Sequence, residues 1–135
     1  MLTEKDYCDY DTCVALKELG YVGSSRYYYT QRDHKFHYDA YNKFYTVRTA
    51  DAMGYVLAIH LYEAQKWLRE KKGIFVYIDV PWKTDGGLGW SHFCCNKPMT
   101  EKDKEVCFAS GGFYDFYEEA LLESIKQSVK ILKDK

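Results

Sequence analysis

Between Leu61 and Val80 the chain changes its hydrophobic period from that of a helix to that of a strand, with one glycine at the join. Leu61, Ala64, Trp67 and Leu68 recur at the spacing that gathers apolar side chains on one helical face. Lys71 and Lys72 follow where the helix dipole is negative, and Gly73 supplies a left-handed closing residue. Ile74, Val76, Ile78 and Val80 then alternate with Phe75, Tyr77 and Asp79, the two-residue period of a half-buried strand. A helix that feeds such a strand this directly has to lay its stripe on the sheet the strand joins. The segment predicts a helix from about His60 to Lys72 and a strand from Ile74 to Val80.

The rest of the chain fits around that frame. Asp9, Asp11 and Thr12 offer N-caps to a helix running to Leu19, with Cys13, Leu16 and Leu19 at helical spacing and Gly20 closing it. Residues 21–50 are rich in tyrosine and poor in aliphatics. Arg26–Thr30, Phe36–Tyr38 and Lys43–Val47 read as strands of an antiparallel hairpin or meander, with Gln31–His34 as a turn, and Thr49–Gly54 reads as a loop. Gly89–Cys95 reads as a strand returning from a turn at Lys83–Gly87. Asn96–Glu105 reads as a polar loop and Val106–Ala109 as one more strand. Asp115 and Glu118 make a capping box for a last helix whose stripe is Leu121, Leu122, Ile125, Val129 and Leu132. The expected fold is one α+β domain over residues 1–135. It has a mainly antiparallel sheet of about four to five strands with helices packed on one face, in the order helix–strands–helix–strands–helix.

Composition narrows the function classes. A formal net charge of −1 over 135 residues gives no global attraction to nucleic acid or an anionic membrane. No apolar run approaches the roughly 20 residues of a membrane-spanning helix, and the opening Met1–Asp6, charged and without an apolar core region, reads as no signal peptide. The odd count of five cysteines, Cys8, Cys13, Cys94, Cys95 and Cys107, reads as free thiols in a reducing compartment, so a cytoplasmic location is expected.

Chemical motifs are sparse. His34 and His37, and the cluster His92, Cys94 and Cys95, lack the paired spacing of a structural zinc site. No nucleophile elbow or zinc-protease helix occurs, and Asp85–Gly89 lacks the Lys-Ser/Thr of a phosphate-binding loop. The acid pairs Asp9/Asp11 and Glu118/Glu119 sit in first helical turns, where the dipole favours them anyway. The chain is expected not to be an enzyme and to use no metal or cofactor.

Its unusual feature is 14 Tyr, 7 Phe and 3 Trp. Exposed aromatics are the side chains that carry interface energy. Tyr27, Tyr29, Phe75, Tyr77, Trp82 and Trp90 are the candidate partner-binding surface if they share the solvent side of a sheet. Either a protein partner or self-association through an edge strand is expected. The alternative is single-stranded nucleic acid held by residues 21–50, where five cations face two acids among nine aromatics. Arg26, Tyr27, Arg32, Lys35, Lys43 and Tyr45 are the candidate contacts, with bases stacked on rings and phosphates tracked by cations.

Ala15–Tyr21, Leu61–Ile74 and Phe116–Leu121 with Ile125 and Leu132 carry a resemblance. They are similar to the opening helix, the central helix–strand join and the closing helix of short uncharacterised proteins of Bacteroides-type gut bacteria and their phages. That family has no assigned activity. The resemblance implies a bacterial cytoplasm as the setting and a phage or prophage origin, and it transfers no site residues.

Overall fold

The computed structural model describes residues 3–39, 41, 43–79, 89–95 and 107–134, with the side chains of all of these but 79, 93 and 107–113. The chain gathers into two compact units, Met1–His60 and Leu61–Lys135.

In the first unit, α1 spans Tyr10–Glu18, and the Asp9 carboxylate caps it by accepting the Thr12 amide at 3.0 Å. Gly20 at φ 103° reverses the chain. The amides of Gly20 and Tyr21 then turn back to the carbonyls of Lys17 and Leu16, which satisfies two of the last open acceptors of the helix. After the two-residue β1 (Ser24–Ser25) come β2 (Tyr27–Thr30) and β3 (Phe36–Tyr38), joined by the expected turn. β4 (Tyr45–Thr46) pairs with β1 rather than with the β2–β3 hairpin. The third place beside β2 is taken by β5 (Tyr55–Leu57), giving the antiparallel order β3-β2-β5.

Between β4 and β5 the expected loop is a helix, α2 (Val47–Ala52). Thr46 and Thr49 cap it reciprocally, each side chain taking the other's amide, and Gly54 at φ 77° ends the turn that follows. Six residues are too few to show a helical period, so only the threonine pair marks it in the sequence.

The phase of β2 also departs from expectation. Tyr29 is 1% exposed, and its hydroxyl donates to the Cys8 carbonyl at 2.7 Å. The Cys13 thiol donates to the same carbonyl at 3.5 Å and accepts the Ile59 amide at 3.4 Å. Tyr29 therefore belongs to the core under α1 and is no part of a surface. Tyr28 faces the other side of the sheet, where its ring stacks on Tyr55 at 4.0 Å.

The second unit opens with α3 (Leu61–Lys72), which buries the expected Leu61, Ala64, Trp67 and Leu68. Gly73 at φ 67° leads into β6 (Phe75–Asp79). β7 (Trp90–Cys95) and β8 (Cys107–Tyr114) complete an antiparallel sheet in the order β6-β7-β8. The last helix, α4 (Tyr117–Lys133), lies across all three strands, and α3 packs on β6 and α4. Its buried positions include Leu121, Ile125 and Val129 together with Ala120, Ser124 and Ser128, and small side chains at every fourth position let the helix approach the strands closely. Ser128 satisfies its buried hydroxyl on the Ser124 carbonyl at 2.9 Å. The expected capping box does not form, because the helix starts one residue later: Phe116 is the cap, and it has no side-chain acceptor to offer.

The class is α+β with antiparallel strands, and the order of helices and strands follows the expected one apart from α2. The described strands are divided among three small sheets. The expected turn at Lys83–Gly87, the loop Asn96–Glu105 and Trp82 lie outside the described residues.

Candidate partner-binding surface

Two acids shape the rim of the first unit. Asp33, in the β2–β3 turn, accepts the Thr30 hydroxyl and the Lys35 amide. The Thr30 bond above all holds its carboxyl below the usual carboxylate range. The turn closes with His34 at φ 60°, its ring stacked on Tyr10 at 3.6 Å.

Asp39 follows β3. Its carboxylate accepts the Tyr41 amide at 2.8 Å, the Lys43 amide at 3.2 Å and the Tyr45 hydroxyl at 3.0 Å. Those bonds, the Tyr41 amide first, lower its pKa. The Arg26 guanidinium donates to the Asp39 carbonyl at 3.2 Å and lies over the Tyr38 ring at 5.9 Å.

Because Asp39 gathers the backbone of its own loop inward, the neighbouring aromatic side chains are left facing water. Tyr38 is 60% exposed, Tyr41 93% and Phe44 61%. On the His37 face of the sheet Tyr28, Tyr45 and Tyr55 form a packed aromatic layer, with Tyr45 edge-on to Tyr28 at 5.5 Å and to Tyr55 at 5.7 Å, while Tyr38 lies on the opposite face, its ring 6.1 Å from that of Tyr27. The rim thus presents three outward rings. Arg32, Lys35 and Lys43 are exposed as well.

The six sequence-selected surface residues do not share a face of one unit. Tyr29 is core. Tyr27 is half-buried against Tyr7 at 4.8 Å and Phe36 at 5.5 Å. Phe75, Tyr77 and Trp90 are half-buried in the second unit, Trp90 edge-on to Tyr117 at 5.1 Å. Of the candidate nucleic-acid contacts, Arg26 is tied to Asp39 and Tyr38. Tyr45 is 5% exposed, with Lys43 over its ring at 5.2 Å. Arg32 and Lys35 remain open to solvent, as does Lys43. The residues sequence reasoning passed over are Tyr38, Tyr41 and Phe44. The signal for them is Asp39, placed two residues before one amide and four before another, a spacing at which an aspartate folds a local loop.

The second unit holds one buried imidazole. His92 is 2% exposed, with its ring 5.9 Å from that of Tyr114, and its Nδ1 meets no hydrogen-bond partner among the described residues. Burial pushes its pKa below the usual histidine value, against a smaller upward pull from the Glu123 charge. A shallow groove of about 460 Å³ lies in the first unit between Val22–Gly23 and α2, with Arg48 and Asp51 at its margin. Asp51 is neutralised by Lys17 at 2.8 Å. Among the described residues no three His, Cys, Asp or Glu side chains are grouped to hold a metal, and no helix is long and apolar enough to cross a membrane.

No family model, no curated protein and no solved structure matches this chain.

Proposed function

We propose that this chain is a small, non-enzymatic accessory protein that works by protein–protein contact through the rim of its first unit, in the phage or prophage setting its resemblance implies. The observation behind it is the exposure of Tyr38, Tyr41 and Phe44 within seven positions at the end of β3 and the loop that follows it. Large aromatic rings bring much contact area for little lost side-chain freedom, which is why exposed ones anchor interfaces. The test is a photo-crosslinking amino acid placed at Tyr41, with the same probe at exposed Glu70 as control. Covalent protein adducts from position 41 well above those from position 70 are expected. Equal yields at the two positions would overturn the reading.

Single-stranded nucleic acid is the second reading, favoured by the exposure of Arg32, Lys35 and Lys43 in the same segment as exposed Tyr38 and Tyr41. It expects a fluorescent oligothymidine to bind with strong salt dependence and to lose affinity in Lys35→Ser/Lys43→Ser. Anisotropy that stays flat at low salt removes it.

A further inference from the structure

The hydrogen bonds of the β2–β3 hairpin fix which way each backbone group of β3 points. The Thr30 amide donates to the Lys35 carbonyl and the Asp39 amide to the Arg26 carbonyl. In an antiparallel pair, bonded and non-bonded positions alternate. Given the register Tyr28↔His37, His37 therefore turns its N–H and C=O toward β2, and Phe36 and Tyr38 turn theirs away. Among the described residues β3 has no other neighbour in its sheet. Its outer edge consequently offers a donor and an acceptor at two positions, two residues apart, flanked by the exposed Tyr38 ring.

From this edge we infer that the partner at the rim is a second copy of the same chain, its β3 laid antiparallel against the first about a two-fold axis through His37. That inference rests on the rim being a contact surface, as proposed above. In this register Phe36 of one copy faces Tyr38 of the other, and both residues carry the outward groups. Each of the two symmetric pairs therefore closes two backbone hydrogen bonds. The same pairing sets Lys35 opposite Asp39 of the other copy, twice. Asp39 has capacity for it: an ionised carboxylate accepts at about four lone-pair positions, and its own loop uses three. Phe36 and Tyr38 meet as a cross-strand aromatic pair.

Shifting the register by two residues would remove the Lys35–Asp39 match. An edge lysine, which ordinarily discourages strand addition, thus selects one pairing here and discourages the others. The result is a six-stranded antiparallel sheet made from two three-stranded ones, the isologous arrangement expected of a two-fold dimer.

His37 makes the inference testable. Facing residues at a non-bonded antiparallel position have Cα atoms about 4.5 Å apart, within the range a disulfide spans. His37→Cys should form an interchain disulfide under oxidised glutathione. Lys35→Cys, whose two copies lie far apart in this register, should not. The unsubstituted protein should show dimer mass by light scattering at high concentration, and Lys35→Glu should weaken the dimer about tenfold by turning two attractive pairs repulsive. Lys35 is exposed, so that substitution leaves the fold intact. A monomer at every concentration overturns the inference, as does a dimer in which His37→Cys links no faster than Lys35→Cys. Adducts from position 41 to other proteins alongside a strict monomer would overturn the self-pairing and leave the contact function standing. Absence of both would remove the two together.

Discussion

His92 is a weak base held in a dry place, and its chemistry sets a pH dependence. Its pKa is lower in the folded chain than the ordinary value of 6.5, with burial as the leading cause. The unfolded chain therefore binds a proton more readily than the folded one. Folding stability is complete above about pH 6.5, and it declines as pH falls from there through the lowered folded value. Urea midpoints measured between pH 8 and pH 5 should fall for the native sequence. They should fall less for His92→Phe, which keeps the site filled and removes the titrating group. Parallel declines in the two proteins would place the acid sensitivity elsewhere. Tyr29 makes the complementary point about residues. It is as polar at its tip as Tyr28 beside it, yet it is core, its hydroxyl satisfied there by the buried Cys8 carbonyl.

Among the elements, the helix ends are where single residues decide most. Gly20 at φ 103° has nothing within 4 Å of where a Cβ would sit, so Gly20→Ala is opposed by backbone conformation alone. A cost of about 1–2 kcal/mol is expected, read as a lower denaturant midpoint with an unchanged slope. Gly23 fails for the opposite reason, since a Cβ there would come within 2.5 Å of the Tyr21 hydroxyl.

This contrast also shows what the sequence made legible. α1, α3 and β6 announce themselves because aliphatic spacing and a left-handed glycine point to the same boundaries. β2 does not, because Tyr27, Tyr28 and Tyr29 are three identical side chains without the polar–apolar contrast that fixes a strand's phase. α2 is too short to display a period. The start of α4 was misplaced by one residue, since Asp115 is as good a cap by type as any residue near it. The rim was invisible for a different reason. Exposure of Tyr38, Tyr41 and Phe44 follows from how Asp39 gathers amides, which neither hydrophobicity nor propensity encodes.

At the scale of the whole molecule, buried thiols are the hidden feature. Cys8, Cys13, Cys94 and Cys95 are all 0% exposed, and burial raises the Cys8 pKa well above that of an ordinary thiol. A thiol inside an apolar interior is a poor nucleophile, because the thiolate is the reactive form. A chromogenic disulfide reagent should therefore leave these four cysteines unlabelled in native buffer and label all five cysteines of the chain in guanidinium. Rapid native labelling of any of the four would contradict the packing described. One buried pair lies in each unit, so mapping the slow labelling by mass spectrometry reads the opening of Met1–His60 and of Leu61–Lys135 separately.

Each unit also carries its own colour. Trp67, Trp82 and Trp90 all belong to the second unit, and ten of the 14 tyrosines, Tyr28, Tyr45 and Tyr55 among them, belong to the first. Indole emission excited at long wavelength therefore speaks for Leu61–Lys135 alone. The tyrosine share of the near-ultraviolet dichroism, separated from the indole bands that overlap it, comes mainly from the phenol rings locked edge-on and face-to-face in Met1–His60. The molecule was in effect built with two spectroscopic channels, and its two halves can be watched melting in one cuvette with no added label.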